Sequence, residues 1–236
     1  MRNTFAIARR EFQSYVNSPI AYILVSLYII TAGNFFFRQL FIGRQADMRS
    51  FFEMMPLLFA FIVPLLTMRT IAEERREGTL ELLLTLPLTD AELLAGKFAA
   101  AIGLMTTLLV LTLAFPITVS SLGPLDWGTT VAGYIGALLM AGAYVAIGVM
   151  SSAFLRSQIA AALVAFGIGF FLYLVGATIP YLPPWAQPIA QGLSISSHFM
   201  NISRGVIDTR DLIYYASMIF GCLLIAHTTL ESRRWR

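Results

Sequence analysis

From Ser157 to Ser203 the chain runs 47 residues without a single Asp, Glu, Lys or Arg, and shorter uncharged runs of the same kind precede it. A helix needs about 20 mostly apolar residues to cross ~30 Å of hydrocarbon, so each run is long enough to span a bilayer. Charged residues are 12% of the 236 and hydrophobic residues 58%, about half the charged share of an ordinary soluble domain. That balance excludes a soluble globular protein, a disordered chain, collagen and a disulfide scaffold. The expected fold class is all-α, a polytopic membrane protein forming a single transmembrane domain over 1–236.

Windows between charges give six spans, at 20–41, 51–77, 90–119, 129–155, 157–178 and 212–230, the second continuing beyond the apolar run as a charged helix. Pro180, Pro183, Pro184 and Pro188 interrupt the long uncharged run, so 180–203 is expected to form short helices, as an extracellular hairpin or a re-entrant segment. With six spans both termini lie on one side. That side collects eleven Arg and Lys residues and the other five, so the positive-inside bias places both termini and the 69–97 loop in the cytoplasm. Residues 1–17 set Phe5, Ala8, Phe12 and Tyr15 at helical spacing with Arg2, Arg9, Arg10 and Gln13 mostly on the remaining face, the pattern of a helix lying in the interface. No signal-peptide pattern precedes the first span, so residue 1 is read as mature. Small residues recur at Gly133, Ala137 and Ala141 and at Ala161, Ala165 and Gly169, which suits packing within the subunit or a dimer seam. The long 69–97 loop has no counterpart between spans four and five, against the duplicated halves of many secondary transporters.

Chemistry-bearing residues are sparse. An intramembrane enzyme or ion-coupled carrier needs ionisable groups at depth, and almost none occur. The chain has no HExxH and no clustered Cys and His, and Gly96-Lys97 is not a phosphate loop, because Ala91 and Phe98 stand where Gly and Ser or Thr are required. Glu53 reads as a water-facing acid, Asp126 as a turn former and His227 as structural. His198 follows Ser194, Ser196 and Ser197, but no partnering carboxylate or glycine-flanked serine is apparent, so no catalytic residue is assigned. No cofactor or metal site and no nucleic-acid-binding face are expected in this chain. Phe35, Phe36 and Phe37 read as an aromatic belt, or as a surface suited to an amphipathic or lipid-linked cargo.

The informative segment is AEERREGTLELLLTLPLTDAELLAGKF, Ala72 to Phe98. The charged end of span two (Glu73, Glu74, Arg75, Arg76) should stop at Gly78, the residue that best tolerates a left-handed cap. A short helix over 79–86 follows, apolar on nearly every side through Leu80, Leu83 and Leu84, and ends before Pro87. Thr89 with Glu92 then forms a capping box that starts span three. A greasy helix between two stops must cover its apolar surface, either by docking into another protein or as a lid on its own bundle. The four charges likewise suit a partner contact or a solvated helix end.

This segment resembles the cytoplasmic loop of type-2 ATP-binding-cassette (ABC) export permeases, and in particular the gliding-motility branch. Arg10 to Ile23, Pro124 to Gly128, Ser194 to Tyr215 and Glu231 to Arg236 are similar to that branch as well. The resemblance implies a non-enzymatic, multi-pass subunit of the bacterial inner membrane that works as a dimer with a second permease protomer, identical or related. It also implies a cytoplasmic ABC ATPase that holds ATP and Mg, and room for an auxiliary envelope protein. Residues 1–17 would be the connecting helix and 79–86 the coupling helix. The ATPase-coupling set would be Glu73, Glu74, Arg75, Arg76, Gly78, Leu80, Leu83, Leu84 and Pro87. The function implied is ATP-driven export of an unidentified substrate; the alternative is an ATPase-coupled anchor or mechanical switch without transport.

Overall fold

The computed structural model describes residues 2–43, 47–78 and 89–234. Among them the helices are α1 (Arg2–Asn17), α2 (Pro19–Gly43), α3 (Arg49–Thr67), α4 (Ala72–Glu77), α5 (Asp90–Leu111), α6 (Ala114–Leu122), α7 (Trp127–Phe154), α8 (Gln158–Thr178), α9 (Gln187–Leu193), α10 (Ile195–Ser203) and α11 (Thr209–Arg234), with a 3-10 turn at Ile179–Tyr181. The described residues hold no strand. Among the described residues, six stretches are long and apolar enough to cross a membrane: α2, α3 with α4, α5 with α6, α7, α8 with the following turn, and α11. The segment 79–86, with Leu80, Leu83, Leu84 and also Pro87, lies outside the described residues.

Two spans expected as continuous helices are interrupted. The second breaks at 68–71, between α3 and α4. The third breaks at Thr112–Leu113, and the cause is Pro116: with no N–H it cannot bond the Thr112 carbonyl four residues back. That carbonyl instead accepts from the Phe115 amide and from the Tyr134 hydroxyl at 3.0 Å. Between spans five and six the proline-rich stretch forms α9 and α10. Asp126 caps α7, its carboxylate accepting from the amides of Gly128 and Thr129, in keeping with the local role read from the sequence.

The core is built around α7, which packs against α3, α5, α8, α10 and α11. Some 78% of its span window is buried, compared with 11% for α11 and 22% for α8. Small residues make this possible. Ala137 and Ala141 have no exposed surface, and a Cβ on Gly133 would fall 2.4 Å from the Phe52 ring. On α8, a Cβ on Gly169 would fall 2.7 Å from the Tyr144 ring. Both small-residue stripes are therefore taken up by packing within the chain. At the end of the bundle away from the termini, Phe36, Phe51, Phe52, Phe115 and Tyr134 join α2, α3, α6 and α7 in one aromatic cluster. Phe36 is buried there, so of the Phe35–Phe37 run only Phe35, half exposed, has the placement of a belt residue.

Candidate functional site

At the end of the bundle that carries the termini, four charged side chains from three elements meet. Lys97 is its sole lysine and Glu11 its sole acid before Asp47. The Lys97 side chain is 1% exposed, and its ammonium donates to Glu74 Oε1 at 2.7 Å and to Glu11 Oε1 at 3.2 Å. Arg10 adds a second cation, 3.4 Å from Glu11 and 4.0 Å from Glu74. Two cations and two carboxylates thus balance, which is the condition for tolerating charge at this depth. The cluster joins three elements: Arg10 and Glu11 come from α1, Glu74 from α4 and Lys97 from α5.

Two local features bring these elements together. Helix α1 lies along α5, and Gly96 permits the approach: a Cβ there would stand 2.7 Å from Ile7 Cγ2. Helix α5 begins with the capping box expected from Thr89 and Glu92, each side chain accepting from the other's amide. This fixes the register that points Lys97 inward, two turns further on.

Helix α4 is held on its other side by α7. Ser152 Oγ accepts from the amides of Ile71 and Ala72 at 3.0 and 2.9 Å. These are N–H groups at the start of a short helix, with no partner inside it. Arg75 donates to the carbonyls of Ala153 and Phe154 at 2.6 and 3.2 Å, at the C-terminal end of α7, where free carbonyls and the helix dipole favour a cation. Gly78 then caps α4 in the left-handed region, φ +72°, as the sequence predicts.

The four charges expected to face a partner are therefore divided. Glu74 and Arg75 bond within the chain, whereas Glu73 is half-buried and Arg76 exposed. Sequence reasoning gave Lys97 and Glu11 no role in the site. The signal available was a lone lysine flanked by Gly96 and Phe98, in a chain whose other basic residues are all arginine.

A second polar cluster sits at the opposite end. His198 on α10 has its Nδ1 2.6 Å from Asp211 Oδ1 on α11, so the partnering carboxylate not apparent in the sequence is supplied by the fold. The imidazole is stacked on Tyr214, ring centroids 4.0 Å apart. The hydroxyls of Tyr214 and Tyr215 donate to the Leu193 and Ile195 carbonyls and fasten the short helices to α11. This is not a nucleophilic triad. Ser194, Ser196 and Ser197 bond one another, and His198 Nε2 is buried with no hydrogen-bond partner, so no serine lies on the nitrogen that would act as base. Among the described residues no group of three metal-binding side chains occurs.

The site at the terminal end is thus one of mechanical attachment: α4, which leads into 79–86, is bonded to α1, α5 and α7. No curated protein matches the chain. A family model, that of the ABC-2 family transporter protein, matches residues 5–219, and with nearly the whole of its length covered the chain belongs to this family of ABC-transporter membrane proteins.

Proposed function

We propose that the chain is the permease subunit of an ATP-driven exporter, coupled at its terminal, cytoplasmic end to a separate ATPase subunit that holds ATP and Mg. The ATPase docks on 79–86, inserting Leu80, Leu83 and Leu84 into its groove, with Gly78 and Pro87 setting the angle of that segment. Glu73 and Arg76 supply charged contacts to the partner. Glu74 and Arg75 have a different part, passing displacement of 79–86 into the bundle.

The observation that carries this reading is the bonding of Glu74 to Lys97 and Glu11. Movement of the docked segment is transmitted to α1 and α5 together, because separating them would expose an unbalanced buried charge. The least buried spans, α8 and α11, offer the apolar area for lipid and for a second protomer. Likeness to the gliding-motility branch over 194–215 and 231–236 supports the same assignment and leaves room for an auxiliary envelope protein. It also supports the rival reading of a mechanical switch, which flux measurements in vesicles would separate from export.

The test is co-purification of the tagged chain in mild detergent, wild type beside Leu83→Glu, with an ATPase assay on what is recovered. The expected result is a nucleotide-binding subunit that accompanies the wild type and is released by the substitution. Recovery of no nucleotide-binding protein with the wild type would overturn the reading.

A further inference from the structure

Hydroxyls on the outward faces of the spans close on their own helices. Thr106, Thr107, Ser217 and Thr228 are exposed, and each donates to a carbonyl three or four residues back at 2.8 to 3.0 Å. Lipid tolerates such groups, because their hydrogen bonds are already made within the segment. Helix α2 is different. Its Asn34 is exposed nine residues before the end of the helix at Gly43, or roughly 14 Å along the axis, and its carboxamide makes no hydrogen bond to any described residue. A carboxamide carries two N–H donors and an acceptor, and leaving all three to hydrocarbon is costly. Ser26, eight residues earlier on the same face, is likewise exposed and without a hydrogen bond.

The surroundings of Asn34 have room for another helix. An open groove of about 550 Å³ runs along this face of α2 from Ile30 to Ile42 and passes Asn34 and Phe37. Ile30, Phe41 and Ile42 are all largely exposed on it. The membrane restricts what can lie there. Two copies of a chain inserted the same way round are related by a twofold axis along the membrane normal, so a residue near that axis meets its own copy at equal depth. A carboxamide suits such a meeting because it is self-complementary: each donates an N–H to the other's oxygen. The hydroxyl of Ser26 is self-complementary in the same way. Arg38, one turn beyond Asn34 toward the end of α2, is exposed, and its long stem lets the guanidinium reach water.

We infer that the outward face of α2 is a seam between two copies of this chain, held by hydrogen bonds between the Asn34 carboxamides of the two copies. Side-chain hydrogen bonds of this kind join helices where lipid removes the hydrophobic drive for association. A different subunit would satisfy Asn34 only by carrying a polar group at the same depth, whereas a second copy does so by symmetry. The inference deepens the proposed function and rests on it for the expectation of a second protomer; α8 and α11 can add apolar area around the seam. It is tested without an ATPase or nucleotide, so its failure and the failure of ATPase coupling are distinguishable.

The test uses the full chain in membranes with its one native cysteine replaced, Cys222→Ser. Asn34→Cys is compared with Val110→Cys, which places a thiol at an exposed position on α5. Under mild oxidation Asn34→Cys should be captured as a covalent dimer and Val110→Cys should not. No dimer at Asn34, or equal capture at both positions, would overturn the proposal. Ready labelling of Asn34→Cys by a water-soluble maleimide would overturn it too, because the face would then line a water-filled pathway. The hydrogen bond itself is read from the dimer dissociation constant in detergent, by analytical ultracentrifugation. Asn34→Leu should raise that constant about tenfold, the scale of interhelical hydrogen bonding in a membrane. Asn34→Gln keeps the carboxamide and should stay within about threefold of the wild type. A leucine variant that dimerises as tightly as the wild type would be fatal, as would a wild type that stays monomeric. Asn34 is exposed, so none of these substitutions disturbs the packed interior.

Discussion

The two polar clusters, one at each end of the bundle, are built from the same few residue types and behave oppositely. At the terminal end Lys97, Arg10, Glu11 and Glu74 balance two charges against two, and the groups that meet come from three helices. At the other end His198 and Asp211 meet each other, and each leaves one buried polar atom, Nε2 and Oδ2, without a hydrogen-bond partner. A charge-balanced cluster resists separation and so ties helices together. A cluster that leaves buried polar atoms unpaired carries a desolvation cost that the packing around it must offset. The difference lies in how the groups are paired and not in residue type.

The largest expected effect tests the terminal end. Lys97→Met removes the buried cation between Glu11 and Glu74 and leaves two carboxylates close together with the exposed Arg10 beside them, and should cost about 3–5 kcal/mol of stability, read as a lowered Tm in detergent. The triple variant that also carries Glu11→Gln and Glu74→Gln should recover most of the loss. If single and triple variants melt together, the cluster is not held by charge balance. Next comes Ser152→Ala, which removes the acceptor shared by the Ile71 and Ala72 amides. The cost should be about 1–3 kcal/mol, and hydrogen exchange at those two amides should quicken; unchanged protection would mean that α4 is anchored elsewhere.

Asp211→Asn sharpens the comparison from the other side. The amide oxygen can still accept from His198 Nδ1, so the change converts a charge-assisted bond into a neutral one at about 1 kcal/mol. A loss as large as that of Lys97→Met would break the distinction between the two ends. The smallest effect belongs to Glu53→Gln. Glu53 pairs with Arg49 at 2.9 Å, with both side chains about half exposed or more, and exposed i,i+4 pairs contribute only about 0.3–0.5 kcal/mol. Urea denaturation should find a shift within that range.

How much of the site was legible depended on how far apart its parts lie in the chain. The left-handed stop at Gly78 and the Thr89–Glu92 capping box were readable, because each is decided by residues within a turn of one another. The division of Glu73, Glu74, Arg75 and Arg76 was not, since Glu74 turns inward only because Lys97 waits on another helix. The same holds for the missing carboxylate of His198, which lies 13 residues on and across a turn. The interrupted third span could have been read from Pro116, though not the Tyr134 hydroxyl that takes up the freed carbonyl.

By itself the sequence determined six apolar spans, the all-helical class, the caps and the stops, since hydropathy and capping act over a few residues and need no partner element. Only the tertiary structure decided which charges meet. Lys97 and Glu11 are 86 residues apart, and their pairing depends on α1 lying close enough to α5, at Gly96, for a buried ammonium to reach two carboxylates. Burial converts that proximity into a strong constraint, because a charge withdrawn from water must find its counter-charge inside the fold.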